Sequence, residues 1–531
     1  MHPIAFWNGK VLTMDPADRK AEALTVVDGR ISHVGTDREV LERMGEDWES
    51  IDLQGKTILP GLIDTHVHFM QSGCAAMGID LSAVKNIDEI LQDVRDKAKD
   101  TPEGDWVQGY FLNELDIEDQ RMPTRQDLDK TCTTHPVQLL HATFHMCSFN
   151  TKALELLNLP RDVDGVDQAS GDLTGVVRDP AILTIVHPAM ARHIPAEKKQ
   201  VALQMASQMA LRRGVTTLHA LDGGFLGPGD TAVILRFKDE LPVRIVVYNQ
   251  SMDVEETVNL GLPRIGGCIC ADGAFEAHTA ALFEPYADEP DNYGAMTYTK
   301  EEMTAFILKA HRAGLQIAVH CEADRSIEQV LSAYEKAQRE NHREDHRHRI
   351  EHFELPTENQ IERVARGGVM AAMQPAFLPA FIGKRMEKYE VFLGEPRLKW
   401  VHPYRTILDH GILIAGGSDS PVTPCDPLRG IQAAVDHPNP GQRVSPREAI
   451  AMFTISGAKI AFEEEEKGSL EPGKSADLVV LSEDPCVVRP DRIGEIGVDM
   501  TMVGGKIVFR GNTAGEAGEE PSTVAPAGEP N

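Results

Sequence analysis

The amino-acid sequence predicts an α/β fold in which parallel strands are joined by crossover helices. Strand-like and helix-like segments alternate through the middle of the chain, and β-rich segments occupy both ends. This alternation fits either a (β/α)8 barrel or a doubly wound sheet. No GxGxxG motif follows a strand, which removes the commonest signal of a dinucleotide-binding sheet.

Composition narrows the class of protein. The 531 residues exceed one simple domain, and 42% of them are hydrophobic, enough for a substantial core. The formal net charge of −29 argues against nucleic acid or an anionic membrane as a partner. Eight scattered cysteines without a CxxC pair indicate reduced thiols in the cytoplasm. The segment "MHPIAFWNGKVLTMD" is not a signal peptide, and no apolar run approaches the ~18–20 residues of a membrane helix.

The two ends of the chain predict one small β-sandwich. Residues 1–59 are short apolar runs separated by turns, with hairpin signals at Asn8-Gly9 and Asp28-Gly29. The same pattern of short apolar runs and turns is found in residues 467–511, so we expect both segments to build a composite sandwich. Residues 512–531 are rich in Pro, Gly, Ala and Glu and predict a disordered tail.

Residues 60–72 and 210–466 carry the alternating pattern. Capping boxes predict helices after Thr299 and Thr357, and "SPREAIAMFTISGA", residues 445–458, predicts another capped helix. The segments "LQIAVHCE", "RIEHFEL", "GVMAAMQP" and "GILIAGGSDSP" predict strands. Residues 73–209 break the rhythm, and we expect them to be an insertion after the first barrel strand that caps the active site.

Side chains able to bind a metal follow several predicted strands. His66 and His68 in "ILPGLIDTHVHFM" lie two residues apart, so they share one face of a strand and can chelate one ion. His320, His352 and Asp419 each end a later strand. Each alone is compatible with a structural role, but in a (β/α)8 barrel these strand ends open onto one face, where active sites lie. We therefore expect the five to converge.

These segments resemble the amidohydrolase superfamily, and more closely its YtcJ-like branch, also called amidohydrolase family 3. The resemblance covers nearly the whole chain, including "LPGLIDTHVHF", "ADGAFEAHTAAL", "AVHCEADRSIEQVL" and "GGSDSPVTPCDPLRGIQAAV". It implies a metal-bearing (β/α)8 TIM barrel with a β-sandwich built from both chain ends. It also implies hydrolysis of an amide or related C–N bond; the described activity nearest to this branch removes formyl groups from N-substituted formamides.

Catalytic roles follow for the residues that match. One or two divalent ions, expected to be Zn²⁺, would lower the pKa of water from ~15.7 towards ~7. Asp419 is placed to take a proton from that water, to pass it to the leaving nitrogen, and also to touch the metal. His320 and His352 would bind a second ion, or one would bind and the other polarise the substrate carbonyl. His145 matches a family histidine in the insertion and is the candidate oxyanion donor, with a structural histidine as the alternative.

The stretch "GGCICADGAF", residues 266–275, departs from the pattern of the branch. Four residues before the Asp of "ADG", relatives carry a lysine that is carboxylated and bridges two metals; here that position is Cys268. A thiolate is a zinc ligand and can also bridge. Cys268 therefore bridges two ions, binds one ion, or is a small core residue. We expect Cys270 to line the substrate pocket, and Asp272 to shape the loop or support a ligand.

Three further residues are candidates for substrate contact. Ser420 stands where relatives often carry tryptophan, and His278 where they often carry arginine, so both would change the pocket. Arg178 could contact an acidic group of the substrate or form a loop salt bridge. The His-rich run of residues 340–352 predicts a solvated connection, with only His352 inside a strand.

Three functions remain open from the sequence. The first is a zinc-dependent amidohydrolase acting on a small N-acyl or N-formyl compound. The second is deaminase-type hydrolysis of an amidine or a ring C=N bond at a mononuclear site. The third is a non-catalytic barrel that binds a small molecule, against which Asp419 argues because a binding protein needs no proton shuttle. The family's habit predicts a homodimer.

Overall fold

The structure, a computed structural model, describes residues 2–142, 144, 146–178, 181–224, 226–383 and 385–511. The predicted tail at 512–531 and the candidate His145 lie outside these described residues. The described chain divides into two compact units. The first holds the residues up to His68, Ser207–Asp222 and those from Glu240 onward; the second holds Phe69–Ala206 and Gly223–Asp239.

The strands are short and number in chain order. They are β1 (Ile4–Trp7), β2 (Lys10–Leu12), β3 (Lys20–Ala21), β4 (Ala23–Val27), β5 (Arg30–Gly35), β6 (Glu49–Asp52), β7 (Thr57–Pro60), β8 (Leu62–Val67), β9 (Ile79–Asp80), β10 (Val107–Leu112), β11 (Val137–His141), β12 (Met146–Phe149), β13 (Val166–Ala169), β14 (Asp172–Arg178), β15 (Val215–Asp222), β16 (Arg244–Asn249), β17 (Arg264–Cys270), β18 (Gln316–Cys321), β19 (Arg349–His352), β20 (Met370–Met373), β21 (Ile414–Gly416), β22 (Leu478–Leu481), β23 (Val498–Val503) and β24 (Lys506–Arg510).

The α-helices lie mostly between the later strands. They are α1 (Asp37–Leu41), α2 (Phe69–Met77), α3 (Ile87–Asp100), α4 (Arg125–Asp129), α5 (Thr151–Leu157), α6 (His187–His193), α7 (Ala196–Arg212), α8 (Asp230–Phe237), α9 (Val254–Asn259), α10 (Lys300–Arg312), α11 (Asp324–Glu340), α12 (Glu358–Gly367), α13 (Glu387–Leu393), α14 (Tyr404–Asp409), α15 (Pro427–Val435), α16 (Pro446–Met452) and α17 (Ile455–Ile460).

Eight parallel strands form a nearly closed barrel in the first unit, in the order β8, β15, β16, β17, β18, β19, β20, β21. The spatial order follows the chain order, as in a TIM barrel and unlike a doubly wound sheet. The ends of β8 and β21 meet through two backbone hydrogen bonds: Asp419 N donates to His66 O at 2.8 Å, and His68 N donates to Ser420 O at 2.9 Å. The predicted (β/α)8 barrel is confirmed.

Both chain ends contribute to two further sheets in the first unit. One has the order β5-β4-β1-β6, and the other has the order β24-β23-β22-β7-β2-β3. A single hydrophobic core contains residues from both sheets, including Phe6 and Leu24 from the first and Ile58, Leu478 and Met502 from the second. Segments from the two ends of the chain therefore share one apolar core.

The second unit contains a six-stranded sheet in the order β13-β14-β12-β11-β10-β9. Helix α3 buries Ile87, Ile90, Leu91 and Val94, which recur at the spacing of one helical face. These side chains belong to a core that includes residues of β10 and β11.

The predicted capping boxes mark the helix starts correctly. Thr299 and Glu302 begin α10, and Thr357 and Gln360 begin α12, with both reciprocal hydrogen bonds present in each case. The helix predicted over residues 445–458 is wrong in one respect, because it divides into α16 and α17. The carbonyl of Phe453 accepts a hydrogen bond from Ile63 N at 2.7 Å, which takes it out of the helical pattern.

One of the two predicted hairpins is wrong. Asp28-Gly29 joins β4 to β5 in an antiparallel pair, as expected. Asn8-Gly9 instead connects β1 to β2, which belong to different sheets. Asn8 has the left-handed conformation that such a turn favours, with φ of 58°. The turn itself was predicted correctly, but the strands on its two sides do not pair. Phe6 and Val11 instead enter one core from two different sheets.

Among the described residues, no helix combines the length and the apolar composition that a membrane span requires. All eight cysteines lie in the described part of the chain, and each is a free thiol.

Candidate metal centre

The first pair of candidate ligands stands at the end of β8, which is buried along its whole length. His66 is the fifth residue of the strand and His68 follows its last residue. The Nε2 atoms of both rings approach one carboxylate oxygen, Asp419 Oδ1, at 3.2 Å from His66 and 3.0 Å from His68. The alternation expected from the sequence therefore brings both imidazoles to the same side.

The other ring nitrogen of each histidine is held by an acceptor. His66 Nδ1 lies 2.7 Å from Glu351 Oε2, and His68 Nδ1 lies 3.0 Å from the carbonyl oxygen of Leu221. When Nδ1–H donates to these acceptors, the lone pair of each Nε2 faces Asp419. This is the orientation in which histidines bind a metal and keep a fixed tautomer.

Asp419 follows β21 and closes the barrel at this point. Its backbone has a positive φ of 60°, and its N–H bonds to the carbonyl of His66. The backbone thus positions the carboxylate directly above the two imidazoles. Asp419 is a buried carboxylate, so its charge is shielded little by water.

His352 is the last residue of β19, and His320 is the last but one of the neighbouring strand β18. Their ring centroids are 4.4 Å apart, and the ring of His352 lies 4.9 Å from that of His66. His320 Nε2 is 3.3 Å from the carbonyl oxygen of Gly273 and 3.6 Å from Asp272 Oδ1. These contacts leave His320 Nδ1 on the side of Cys268.

Asp272 supports this region rather than lying among the candidate ligands. Its carboxylate accepts backbone hydrogen bonds from Ala281, Glu322 and Ala323 at 3.0–3.1 Å. It therefore ties the loop after β17 to the end of β18, in agreement with the predicted loop-shaping role. Its 3.6 Å approach to His320 also fits the alternative of supporting a ligand.

Cys268 lies between the two groups of histidines. Its Sγ is 3.8 Å from His320 Nδ1 and 3.7 Å from the Sγ of Cys270. Cys268 is also grouped with His66 and His68, their ligand atoms lying within 4.8 Å of one another. A single thiol thus lies near the pair His66 and His68 and also near His320, which is the position that a bridging ligand needs.

The donor atoms fit a divalent metal. His66 Nε2, Asp419 Oδ1 and both ring nitrogens of His352 are buried and make no well-directed hydrogen bond with the described residues. Two ligands on one tetrahedral zinc, at about 2.05 Å each, stand about 3.3 Å apart. The 3.0–3.2 Å contacts to Asp419 are close to this value. Nitrogen, sulfur and carboxylate donors together suit zinc and related ions.

The charges at this position favour a cation. Burial lowers the pKa of His66, but Asp419 and Glu351 outweigh burial and raise that pKa to about 10. Burial raises the pKa of Asp419, but His66 and His68 outweigh it and hold that pKa well below its usual value. Without an ion, a proton on His66 therefore balances the Asp419 carboxylate. A divalent cation would take the place of that proton.

Two residues next to the centre were missed from the sequence. Glu351 accepts from His66 and from Arg349, whose Nη2 is 2.7 Å from Glu351 Oε2 and 2.7 Å from the carbonyl oxygen of Thr65. Both charged side chains are completely buried. The available signal was "RIEHFEL" itself, because an Arg and a Glu alternate inside a segment short enough to be a buried strand.

Three of the candidates for substrate contact, His278, Ser420 and Arg178, lie outside the groups of side chains that could hold a metal ion, whereas Cys270 belongs to one of those groups. His278 Nε2 is 3.0 Å from Asp288 Oδ2, and its ring packs 4.7 Å from the ring of Tyr286. Ser420 is buried, and its carbonyl takes part in barrel closure. Arg178 Nε donates to Asp167 Oδ2 at 3.3 Å in an exposed pair of the second unit. The alternative left by the sequence was a loop salt bridge; Arg178 does form a salt bridge, but it joins the strands β13 and β14.

The prediction of a solvated His-rich connection is wrong for two of its histidines. His346 and His348 are buried before β19, at the opposite end of that strand from His352. His346 Nε2 is 2.9 Å from Gly367 O, and His348 Nε2 is 2.8 Å from His311 Nδ1. The charged residues around them in the sequence suggested exposure to solvent. In the structure both imidazoles are buried and hydrogen-bonded, so they have a structural role.

Comparison with known proteins gives matches over almost the whole chain. A sequence model described as "Amidohydrolase family" matches residues 49–509. YtcJ of Bacillus subtilis (strain 168), named as an amidohydrolase, is 32% identical over 95% of this chain and 99% of its own. The N-substituted formamide deformylase of Arthrobacter pascens is 27% identical over 96% of this chain and 98% of its own. A solved structure of an uncharacterized metal-dependent hydrolase from Pyrococcus furiosus has a TM-score of 0.77 and 27% identity, covering 91% of this chain and 100% of its own.

Proposed function

The chain belongs to the amidohydrolase family and is an enzyme acting on carbon–nitrogen bonds other than peptide bonds; on this premise we propose that it hydrolyses an N-formyl or N-acyl bond of a small molecule at a zinc centre. The ligands of that centre are His66, His68, Cys268, His320, His352 and Asp419. The observation that carries the proposal is the approach of two buried histidine Nε2 atoms to one buried carboxylate at 3.0–3.2 Å. The similarity to an N-substituted formamide deformylase supports the choice of bond.

The ion supplies one element of the chemistry: when bound, it lowers the pKa of water so that the nucleophile forms at neutral pH. The protein supplies the rest. His66 and His68 are oriented by Glu351 and the Leu221 carbonyl, so their Nε2 atoms need no rearrangement to bind. Asp419, ionised and buried, accepts a proton from the attacking water and returns it to the leaving nitrogen.

His320 and His352 are proposed to serve the second half of the site with Cys268. Burial and the neighbouring His320 lower the pKa of His352 well below its usual value, so this imidazole is neutral and able to bind a metal. Cys268, between the two groups, is proposed to bridge. If only one ion is present, His352 or His320 is instead free to polarise the substrate carbonyl.

Several finer features remain proposals. The shared apolar core of the two terminal sheets supports the predicted composite sandwich. The capping role of residues 73–209, the oxyanion role of His145, and the substrate contacts of Cys270, His278, Ser420 and Arg178 stay predictions from the sequence. So do a cytoplasmic location and a homodimer.

A product assay with a panel of small amides tests the proposed function. The zinc-loaded protein is incubated with N-substituted formamides, N-acyl amines and cyclic amidines, and the carboxylate, amine and ammonia released are measured. We expect formate or another carboxylate together with the free amine. Ammonia from an amidine alone would replace the proposal with the deaminase alternative. Undiminished hydrolysis by metal-free protein would overturn the metal mechanism.

A matched pair of variants tests the role of Asp419. Asp419→Asn removes the proton acceptor and is expected to lower kcat by about 10²–10⁴-fold. Asp409→Asn changes an exposed carboxylate of α14 and is expected to keep the wild-type rate. Equal rates for the Asp419→Asn variant and the wild type would exclude Asp419 as the shuttle.

A further inference from the structure

Strand β17 is irregular where it approaches the candidate metal centre. Its pairing with β18 jumps from Gly266 opposite Ala318 to Cys270 opposite His320, so four residues of β17 advance against two of β18. Gly266 and Gly267 both have positive φ, at 92° and 98°. Such a bulge bends a strand and redirects its side chains.

The bulge is accompanied by a close approach of two sulfur atoms. Cys268 Sγ and Cys270 Sγ are 3.7 Å apart, and Cys268 Sγ is 3.8 Å from His320 Nδ1. Two thiolates on one tetrahedral zinc, with Zn–S of about 2.3 Å, stand about 3.8 Å apart, and a thiolate and an imidazole nitrogen stand about 3.6 Å apart. The two distances from Cys268 Sγ are therefore already close to those expected between donors on one ion.

The surroundings of this group also suit an ion. The ligand atoms of Cys268, Cys270 and His320 lie within 4.8 Å of one another. Cys268 and His320 are buried, whereas Cys270 is half-buried. Asp272 and the Gly273 carbonyl contact His320 Nε2, which directs Nδ1 to the sulfur atoms.

We propose that Cys270 is a metal ligand, and that it joins Cys268 and His320 in a thiolate-rich second position for a soft or borderline divalent cation, the position to which the proposed function also assigns His352. Binding replaces two thiol protons by the cation: two S–H bonds break, two metal–sulfur bonds form, and two protons pass to solvent. Thiolate donors favour Zn²⁺, Co²⁺ or Cd²⁺ over Mg²⁺ and Mn²⁺. The inference rests on the proposed function, because Cys268 is shared with the centre built around His66 and His68.

X-ray absorption at the zinc edge tests the native protein directly. If Cys268 bridges and Cys270 binds one ion, two zinc ions share three Zn–S bonds, an average of about 1.5 sulfur atoms per zinc at about 2.3 Å. Without Cys270 the average is about 1. Whether or not Cys268 bridges, Cys270→Ala should lower the average by about 0.5 sulfur atom per zinc, and equal values for this variant and the wild type with two zinc ions bound would overturn the proposal.

Cobalt titration of variants supplies the matched comparison. Metal-stripped, reduced protein is titrated with Co²⁺, and the sulfur-to-cobalt charge-transfer band is recorded. We expect Cys270→Ala to lower the band at saturation by about one third and to weaken binding of the second equivalent roughly tenfold or more, as for loss of one of three Co–S bonds. Cys321→Ala, next to His320 but outside the candidate groups, is the control and is expected to match the wild type.

The outcomes separate this inference from the proposed function. If Cys270→Ala keeps the full band and the second equivalent, Cys270 is not a ligand, while metal-dependent hydrolysis can still stand. If Cys270→Ala loses them but metal-free protein hydrolyses the substrate fully, the sulfur position exists and the proposed mechanism fails. Displacement of Co²⁺ by a similar concentration of Mg²⁺ would contradict the thiolate ligand set.

Discussion

At the scale of single residues, Glu351 orients His66 in the candidate metal centre. Its carboxylate joins His66, which faces Asp419, to Arg349, which spans to the backbone of β8 at Thr65. All of these groups are buried, so their charges interact in a low dielectric. Removing one of them would leave another charge buried without a partner. Metal affinity should therefore depend on a residue that does not touch the ion.

We predict that Glu351→Gln lowers the affinity for the metal ion bound by His66 by about 10–100-fold, the usual effect of losing the hydrogen-bond partner of a ligating histidine. The reason is that a neutral amide orients His66 less firmly and no longer strengthens its basicity. Competition with a chromogenic chelator measures the affinity, at a temperature well below the unfolding midpoint because Arg349 loses its anionic partner. Glu362→Gln, on the exposed side of α12, is the control; equal affinity in all three proteins would contradict this role.

His437 illustrates a buried histidine with a consequence for stability. Its Nδ1 accepts from Asn439 N at 3.0 Å, and burial together with His402 lowers its pKa to about 3. The unfolded chain takes up this proton near pH 6.5, whereas the folded protein resists it until about pH 3. Stability is therefore lost as pH falls below 6.5, by ~2 kcal/mol between pH 6.5 and 5 from this group alone.

We predict that His437→Asn, which keeps an acceptor for Asn439, reduces the fall in Tm between pH 6.5 and 5. The variant removes a group that only the unfolded chain protonates in this range. Thermal unfolding at both pH values measures the effect. His342→Asn, at an exposed position, is expected to retain the wild-type pH dependence. The same pH dependence in His437→Asn and wild type would show that His437 does not contribute.

At the scale of elements, the bulged strand β17 determines where the sulfur atoms stand. A Cβ at Gly266 would lie 2.0 Å from the carbonyl oxygen of Ala318 on β18. Only glycine permits both the positive φ and this close approach of two strands. The spacing between Cys268 and His320 therefore depends on a residue that carries no side chain.

We predict that Gly266→Ala lowers the free energy of unfolding by ~1–3 kcal/mol or more and reduces bound metal, because β17 must move away from β18. Gly261→Ala is the matched control: its φ is also positive, at 69°, but no atom lies within 4 Å of the added Cβ. We expect that control to cost about 1 kcal/mol and to keep its metal. Urea unfolding and metal analysis provide the readouts, and an unchanged metal content in Gly266→Ala would refute the link.

At the scale of the whole molecule, the candidate centre depends on closure of the barrel. Its donors come from β8, β17, β18 and β19 and from the turn after β21. Two backbone hydrogen bonds, Asp419 N to His66 O and His68 N to Ser420 O, join the end of β8 to that turn. An ion bound by all of them stabilises the folded chain, because the unfolded chain does not offer the same set of ligands.

We therefore predict that removing metal lowers Tm. Free ion at about 1,000 times its Kd stabilises the folded state by about 4 kcal/mol. Differential scanning calorimetry should show a lower midpoint after chelation, and recovery with Zn²⁺ but not with Mg²⁺. An identical midpoint before and after complete metal removal would mean that the ion does not contribute to the stability of the barrel.

Features of the fold that depend on residues close together in the sequence were predicted well, and those that depend on distant residues were not. Helices α10 and α12 were predicted to their first residue, because a capping box is a contact over three residues. The buried state of His346 and His348 was not, since it depends on α10 and on the backbone at Gly367. The prediction of a hairpin at Asn8-Gly9 was wrong for the same reason. The turn itself is local, whereas the sheet that each flanking strand joins depends on distant parts of the chain.

The sequence by itself determined which side chains end the strands and that they share a face, because side-chain direction in a strand alternates with every residue. Together with the predicted barrel, whose strand ends open onto one face, it supplied His66, His68, His320, His352 and Asp419 as one candidate set, and the family resemblance added Cys268. Only the tertiary structure decided their distances, the partnership of Glu351 and Arg349, and the pairing of Cys268 with Cys270. The physical reason is that these depend on how the barrel closes and where β17 bulges, and neither property is encoded in a short stretch of chain.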